Sequence, residues 1–229
     1  MFKHTPTLLL TIALLLLPSL IWLEQAEASL WNNRLLIPFL EEEPNRHTPL
    51  NPTGTYLPPT ISQDTSLSPD HSPYILNHEV IVTPDATLTI LPGVTLLAHE
   101  FSQLTINGQL ISQGAAANPI HFISNEVHPD NQLWNGLIFT DTGRGHITHT
   151  TFQHATPAIT CGGTSQVSLN NIFIEQTSLD IFSQSPNCVL ANSRLKSIRD
   201  GFIAMSHQPH VTSTIFQVAR EPIQVFSLD

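Results

Sequence analysis

Apolar anchors recur in the second half of this chain at a nearly fixed interval: Phe152, Phe173, Leu195 and Phe216 are spaced 21, 22 and 21 residues apart. Just before each anchor stand small or polar residues: His149 and Thr150, Asn170 and Asn171, Asn192 and Ser193, Ser213 and Thr214. A second apolar position follows each anchor, at Ile159, at Leu179 with Ile181, at Phe202 and at Ile223. A repeat of this length without a helical segment reads as one turn of a β-solenoid, in which each turn supplies short strands that pair with their copies in the next. Equivalent positions then stack about 4.8 Å apart, so an anchor recurs as an anchor. Asn suits the bends because it tolerates left-handed φ and its amide bonds the copy above it.

The first half carries the same grammar without the strict period. Val80-Ile81-Val82, Leu88-Thr89-Ile90, Val94-Thr95-Leu96, Leu104-Thr105-Ile106, Ile120-His121-Phe122 and Leu137-Ile138-Phe139 alternate with period two and read as strands. Pro92-Gly93, Asn107-Gly108 and Asn118-Pro119 punctuate them; in the first two, glycine is expected to supply a positive φ. Residues 80–229 hold roughly seven turns at a period near 21. Sandwiches and propellers favour tight antiparallel hairpins, which a fixed spacing of aligned anchors does not require. The expected fold is therefore all-β, a right-handed parallel β-helix of about seven turns, since parallel crossovers are overwhelmingly right-handed.

Composition supports this and removes other classes. Charged residues make up 11% of the 229, less than half the usual proportion of about a quarter, and Lys plus Arg number 8 against 18 Asp plus Glu. A nucleic-acid footprint is excluded. Two cysteines exclude a disulfide-dense scaffold and a Cys-rich zinc module.

The N-terminal segment reads as an export signal. Lys3 precedes an apolar run from Leu8 to Leu23, shorter than the ~20 residues that span a bilayer. Ala26 and Ala28 form an Ala-x-Ala site, so cleavage after Ala28 is expected. This implies a secreted, periplasmic or cell-surface protein with no transmembrane segment after cleavage. Residues 29–53 are expected to be a Pro-rich spacer, because proline fixes φ and removes a hydrogen-bond donor. Trp31, Leu35, Leu36, Ile37 and Phe39 form an apolar patch within it. The β-helix domain is expected over 54–229.

Residues 54–139 resemble the N-terminal part of secreted right-handed parallel β-helix proteins of the pectin-lyase-like superfamily. The resemblance is carried by Ser72-Pro73-Tyr74-Ile75-Leu76, by Thr87-Leu88-Thr89-Ile90-Leu91-Pro92-Gly93-Val94 and by Leu104-Thr105-Ile106-Asn107-Gly108-Gln109-Leu110. Asn118-Pro119-Ile120-His121-Phe122 and Trp134-Asn135-Gly136-Leu137 complete it. It implies an N-terminal β-cap, here over residues 54–76, and it covers surface proteins as well as carbohydrate-active enzymes. Trp134 is large enough to fill a wide corner.

Chemistry is sparser. Hydrolases of this shape use grouped aspartates and lyases use calcium-binding carboxylates with a base. Here the acids are scattered singly, at Glu79, Asp85, Glu100, Glu126, Asp130, Asp141, Glu175, Asp180, Asp200 and Glu221, without calcium-loop spacing. No residue is assigned a catalytic role, and no cofactor is implied. The strongest ligand-binding candidates are Arg199-Asp200 and Arg220-Glu221, which follow their anchors at matching offsets and should stack on adjacent turns. With Arg194 and Lys196 nearby they would grip an acidic sugar; the plainer alternative is a solvated turn whose opposite charges offset one another. His146, His149 and His154 cluster, as do His207 and His210, but scattered surface histidine is the simpler reading and no metal site is assigned. Asp141-Thr142-Gly143-Arg144-Gly145 lacks the lysine of a phosphate loop and reads as a wide turn. Cys161 and Cys188 are placed to bridge neighbouring turns in an exported protein.

The expected function is an exported, non-catalytic β-helix acting as a cell-surface, adhesive or glycan-binding module, its partner a polysaccharide or cell-surface glycan. Two alternatives stand: a polysaccharide lyase or hydrolase whose site assembles across turns, and a structural subunit that self-associates end to end through an uncapped C-terminal turn.

Overall fold

The structure, a computed structural model, describes residues 53–125, 134–205 and 208–226. The cleavage site after Ala28 and the spacer up to residue 52 lie outside the described residues. Over the described residues the chain winds as a parallel β-helix of seven complete coils and part of an eighth. Each full coil contributes one strand to each of three sheets. Coil 1 supplies Thr55–Tyr56, Thr60–Ile61 and Thr65–Leu67; coil 2, Tyr74–Leu76, Glu79–Val82 and Thr87–Ile90; coil 3, Thr95–Ala98, Gln103–Ile106 and Gln109–Gln113. Coil 4 supplies Ile120–Ser124, Leu137–Phe139 and Arg144–Thr148; coil 5, Thr150–Gln153, Ile159–Cys161 and Gln166–Asn170; coil 6, Phe173–Glu175, Leu179–Ser183 and Cys188–Ala191. Coil 7 supplies Arg194–Lys196, Asp200–Met205 and His210–Thr212, and coil 8 supplies Ile215–Phe216 and Ile223–Phe226. The first, second and third strands of successive coils form sheets A, B and C, of eight, eight and seven strands. The fold is the all-β, right-handed solenoid that the repeat implies.

Residues 54–76 do not stand apart as a separate β-cap. Thr55 pairs with Tyr74, Thr60 with Ile81 and Thr65 with Leu88, all in parallel, so this stretch is the first coil itself. Coil 4 takes more chain than the others, because residues 126–133 intervene between its sheet A and sheet B strands.

The interior is built of stacked columns. Tyr74, Leu96, Phe122 and Phe152 lie in register in sheet A, followed by Ile174, Leu195 and Phe216. The Phe122 and Phe152 rings stack 5.0 Å apart, and Trp134 continues the aromatic pile at 6.1 Å from Phe122. Trp134 is fully buried and its Nε1 donates to the Gln153 carbonyl at 3.0 Å, so it fills the corner between sheets A and B. The second column expected from the sequence runs through Ile159, Ile181, Phe202 and Ile223 in sheet B.

One anchor is displaced. In coil 6 the inward residue is Ile174, whereas Phe173 pairs with Thr151 and Arg194 on the outer face. Alternation decides this: Ile172 and Ile174 both point inward, so the residue between them must point outward. The bends before the anchors follow the expected pattern. His149, Asn171, Asn192 and Ser213 adopt φ of 46°, 51°, 50° and 47°, at the same place in four successive coils, and the Asn192 amide donates to Asn170 Oδ1 at 2.9 Å.

Three glycine positions refine the sequence reading. Gly93 has φ +83°, as its Pro-Gly turn requires. Gly108 has no positive φ; it is there for space, since a Cβ would lie 2.2 Å from the Thr83 carbonyl oxygen. Gly145 belongs to a sheet C strand rather than to a turn, because the Phe139 ring occupies the volume where its side chain would be.

Candidate functional site

The sheet A–B corner of coils 7 and 8 brings the sequence candidates together. The Arg220 N–H donates to the Arg199 carbonyl at 2.8 Å, and the Gly201 N–H donates to the Glu221 carbonyl at 3.1 Å. Arg199 therefore lies over Arg220 and Asp200 over Glu221, one coil apart. Both arginines are exposed, and among the described residues neither forms an ion pair. Asp200 and Glu221 adjoin them in the chain, and Asp200 Oδ1 accepts from Gln224 Nε2 at 3.1 Å.

Arg194 and Lys196 sit on the outer face of sheet A, on the strand that leads into this corner. Arg194 lies over the Phe173 ring, 5.9 Å from its centroid, and its guanidinium donates to Gln217 Oε1 from Nε at 3.1 Å and from Nη2 at 2.6 Å. Lys196 Nζ is 4.0 Å from Glu175 Oε2, and Gln153 Nε2 donates to Glu175 Oε1 at 2.6 Å. The displacement of Phe173 to the outer face thus creates a planar, partly aromatic surface with fixed hydrogen-bonding groups. Its cations are already engaged by protein partners, while the corner arginines are not.

Asp180 is the group that the sequence reading left among the scattered acids. It is fully buried in coil 6, one position before Ile181. Desolvation raises its pKa from 3.8 to about 7, and the hydroxyls of Thr177 and, to a lesser degree, Ser197 pull it part of the way back. Thr177 Oγ1 donates to Asp180 Oδ1, whereas among the described residues Asp180 Oδ2 and Ser197 Oγ have no hydrogen-bond partner of good geometry. Its signal was positional: Asp180 occupies the place that Ala158 holds in coil 5, on the inward side of the corner. Enclosed in this way, Asp180 is not open to solvent.

On the outer face of sheet B, Glu79 Oε1 accepts from Gln103 Nε2 and from Thr105 Oγ1, each at 2.8 Å. Among the described residues no three His, Cys, Asp or Glu side chains gather as a metal site. Cys161 and Cys188 form a disulfide with Cα atoms 6.3 Å apart, joining coil 5 to coil 6 inside the barrel. No helix among the described residues is long and apolar enough to cross a membrane. In coil 8, Ile215, Ile223, Val225 and Phe226 are exposed among the described residues.

No curated protein and no solved structure matches the chain. A family model, the pectate-lyase-like beta helix domain, matches residues 59–183, which run from the second strand of coil 1 to the second strand of coil 6 and stop short of the arginine corner. That match spans more than half of the sequence and coincides with the stacked coils, so the chain belongs to the pectate-lyase-like beta-helix domain family.

Proposed function

We propose that this protein is an exported, non-catalytic β-helix that binds an acidic polysaccharide or cell-surface glycan through the corner of coils 7 and 8. The observation that carries this reading is the stack of Arg199 on Arg220, exposed and without a carboxylate partner among the described residues. Two guanidiniums one coil apart repel each other, and repeated carboxylates or sulfates along a glycan relieve that repulsion. Arginine's fork matches such groups in bidentate fashion. The outer face of sheet A lies along the same strand and offers planar partners at Arg194 and Gln217.

The test is retention on a panel of acidic and neutral polysaccharides, with and without Ca²⁺, with chain cleavage followed in parallel. Retention is expected on acidic chains, decreasing as salt screens it, and is expected to be lost in the Arg199→Ala, Arg220→Ala double variant. Chain cleavage that disappears on changing Asp200 or Arg199 would instead support a lyase or hydrolase assembled across coils. Export is tested by N-terminal sequencing of protein recovered outside the cytoplasm, which should begin at Ser29.

A second reading rests on the apolar end of coil 8. Among the described residues its Ile223, Val225 and Phe226 are exposed, and such an apolar patch suits pairing with a second copy of the chain. Concentration-dependent light scattering, abolished by Val225→Asp, is the expected result; a monomer at every concentration would exclude it.

A further inference from the structure

The corners joining sheets B and C differ in length. Four residues, 83–86, turn the chain in coil 2, and four, 140–143, turn it in coil 4; coil 3 uses only Asn107 and Gly108. The short corner is drawn in against its neighbour, which the missing side chain of Gly108 allows, since a Cβ there would lie 2.2 Å from the Thr83 carbonyl oxygen and 2.4 Å from that of Ala86. The two longer corners overhang it, and a notch of about 300 Å³ opens between them. That volume is at the lower end of the range for small-molecule sites.

The walls of the notch are polar and come from three coils. Asp85 stands on the coil 2 side and Arg144 on the coil 4 side, with Asn107 and Gln109 between them. Thr87, Gln109 and Arg144 are stacked in register on sheet C, which fixes the row at one residue per coil. Both charged groups are exposed, and among the described residues neither forms an ion pair. Asn107 is oriented by the Thr140 hydroxyl, which donates to its Oδ1 at 2.9 Å, so its amide N–H groups remain to donate.

We propose that this notch binds a single pyranose ring of a neutral sugar. Asp, Asn, Gln and Arg side chains each present two hydrogen-bonding atoms in a plane, and a pair of vicinal hydroxyls on a sugar ring meets such a fork at both atoms. The lining has no aromatic face and is more polar than apolar, which disfavours a flat aromatic or lipid ligand. Asp85 and Arg144 carry opposite charges, so the notch holds no net charge to select an anion or a cation. The site is distinct from the arginine corner of coils 7 and 8, and its saccharide is uncharged where that of the corner is acidic.

The test uses the full chain, ¹⁵N-labelled, titrated with neutral hexoses and, separately, with hexuronates. Neutral hexoses are expected to shift the amides of Gly108, Gln109 and Arg144 with a dissociation constant in the millimolar range, ~1 mM or weaker. Arg144→Met and Asp85→Ala, both at exposed positions, should each weaken binding by about tenfold while leaving the far-ultraviolet circular dichroism unchanged. Arg199→Ala should leave the hexose titration unaltered. The proposal is overturned if no neutral hexose shifts these amides, if only hexuronates do, or if Arg144→Met binds as the wild type does. Because the corner is read by retention on acidic polysaccharide and the notch by hexose titration, either can fail without the other.

Discussion

Asp180 makes the chain's stability depend on pH, and Asp180→Asn should remove that dependence. The carboxyl is fully enclosed, with a pKa raised from 3.8 to about 7 by desolvation. A raised pKa means that the folded state holds a proton which the unfolded state has already released. Below about pH 4 both states are protonated and burial carries no ionic penalty. Between about pH 4 and 7 the folded state loses stability at about 1.4 kcal/mol per pH unit, and above about pH 7 the loss levels off. Over the roughly three units separating the two values this amounts to on the order of 4 kcal/mol. Asparagine keeps the shape, can still accept from Thr177 and brings an N–H that can donate to the unpartnered Ser197 hydroxyl. Equilibrium denaturant unfolding of both proteins across this pH range checks the reasoning. The variant should exceed the wild type by several kcal/mol at about pH 8, with the difference shrinking to nearly nothing by about pH 4. A difference that stays constant with pH, or a variant less stable than the wild type at the alkaline end, would refute it.

Three further perturbations test the packing. Ile174→Ala should cost about 2–4 kcal/mol by emptying a core position, whereas Phe173→Ala on the outer face should cost under ~1 kcal/mol; chemical unfolding of the two variants distinguishes the registers, and the reverse order would mean that Phe173 is the anchor after all. Removing the Cys161–Cys188 bridge by a double Ser substitution frees a loop of 27 residues, for which chain entropy gives a loss of about 3.5 kcal/mol, measurable as a lower melting temperature that matches the reduced wild type. Gly108→Ala drives a methyl group into the Thr83 and Ala86 carbonyls and should destabilise by roughly 2–3 kcal/mol, seen as an earlier denaturant midpoint.

Most of the fold was legible because a solenoid writes its geometry along the chain. Each strand triplet read by alternation lies within or overlaps a strand of the structure, and the bends at His149, Asn171, Asn192 and Ser213 share the left-handed φ that Asn favours. The error at Phe173 has a specific cause. Ile172, Phe173 and Ile174 are apolar in succession, so alternation alone does not say which pair faces in, and the aromatic residue is the natural but incorrect choice. What resolves it is the coil above: Arg194 is level with Phe173 and Leu195 with Ile174, and an arginine cannot be the inward residue of a closed core. The cap over residues 54–76 was implied by the family resemblance alone; the strands there are only two or three residues long, too short to show a period that would have placed them as the first coil.

Sites on a solenoid are harder to read because they form between coils rather than along them. The notch depends on a two-residue corner lying between two four-residue corners, and that comparison needs the register of coil 4, which the intervening residues 126–133 hide from any fixed period. The charges follow a different logic. An outward side chain has a copy above and below at about 4.8 Å, so like charges in one column work against folding. Along the paired strands the chain avoids this: Glu175 stands between Gln153 and Lys196, and Arg194 between Phe173 and Ile215. At the corner of coils 7 and 8 it does not, and Arg199 on Arg220 adjoins Asp200 on Glu221. The acids there form no ion pair with the bases among the described residues, and Asp200 accepts from Gln224. In a chain with so few charged residues, two stacked pairs of like charge at one exposed corner are a departure from that economy, and it is this departure that the glycan binding proposed above would relieve.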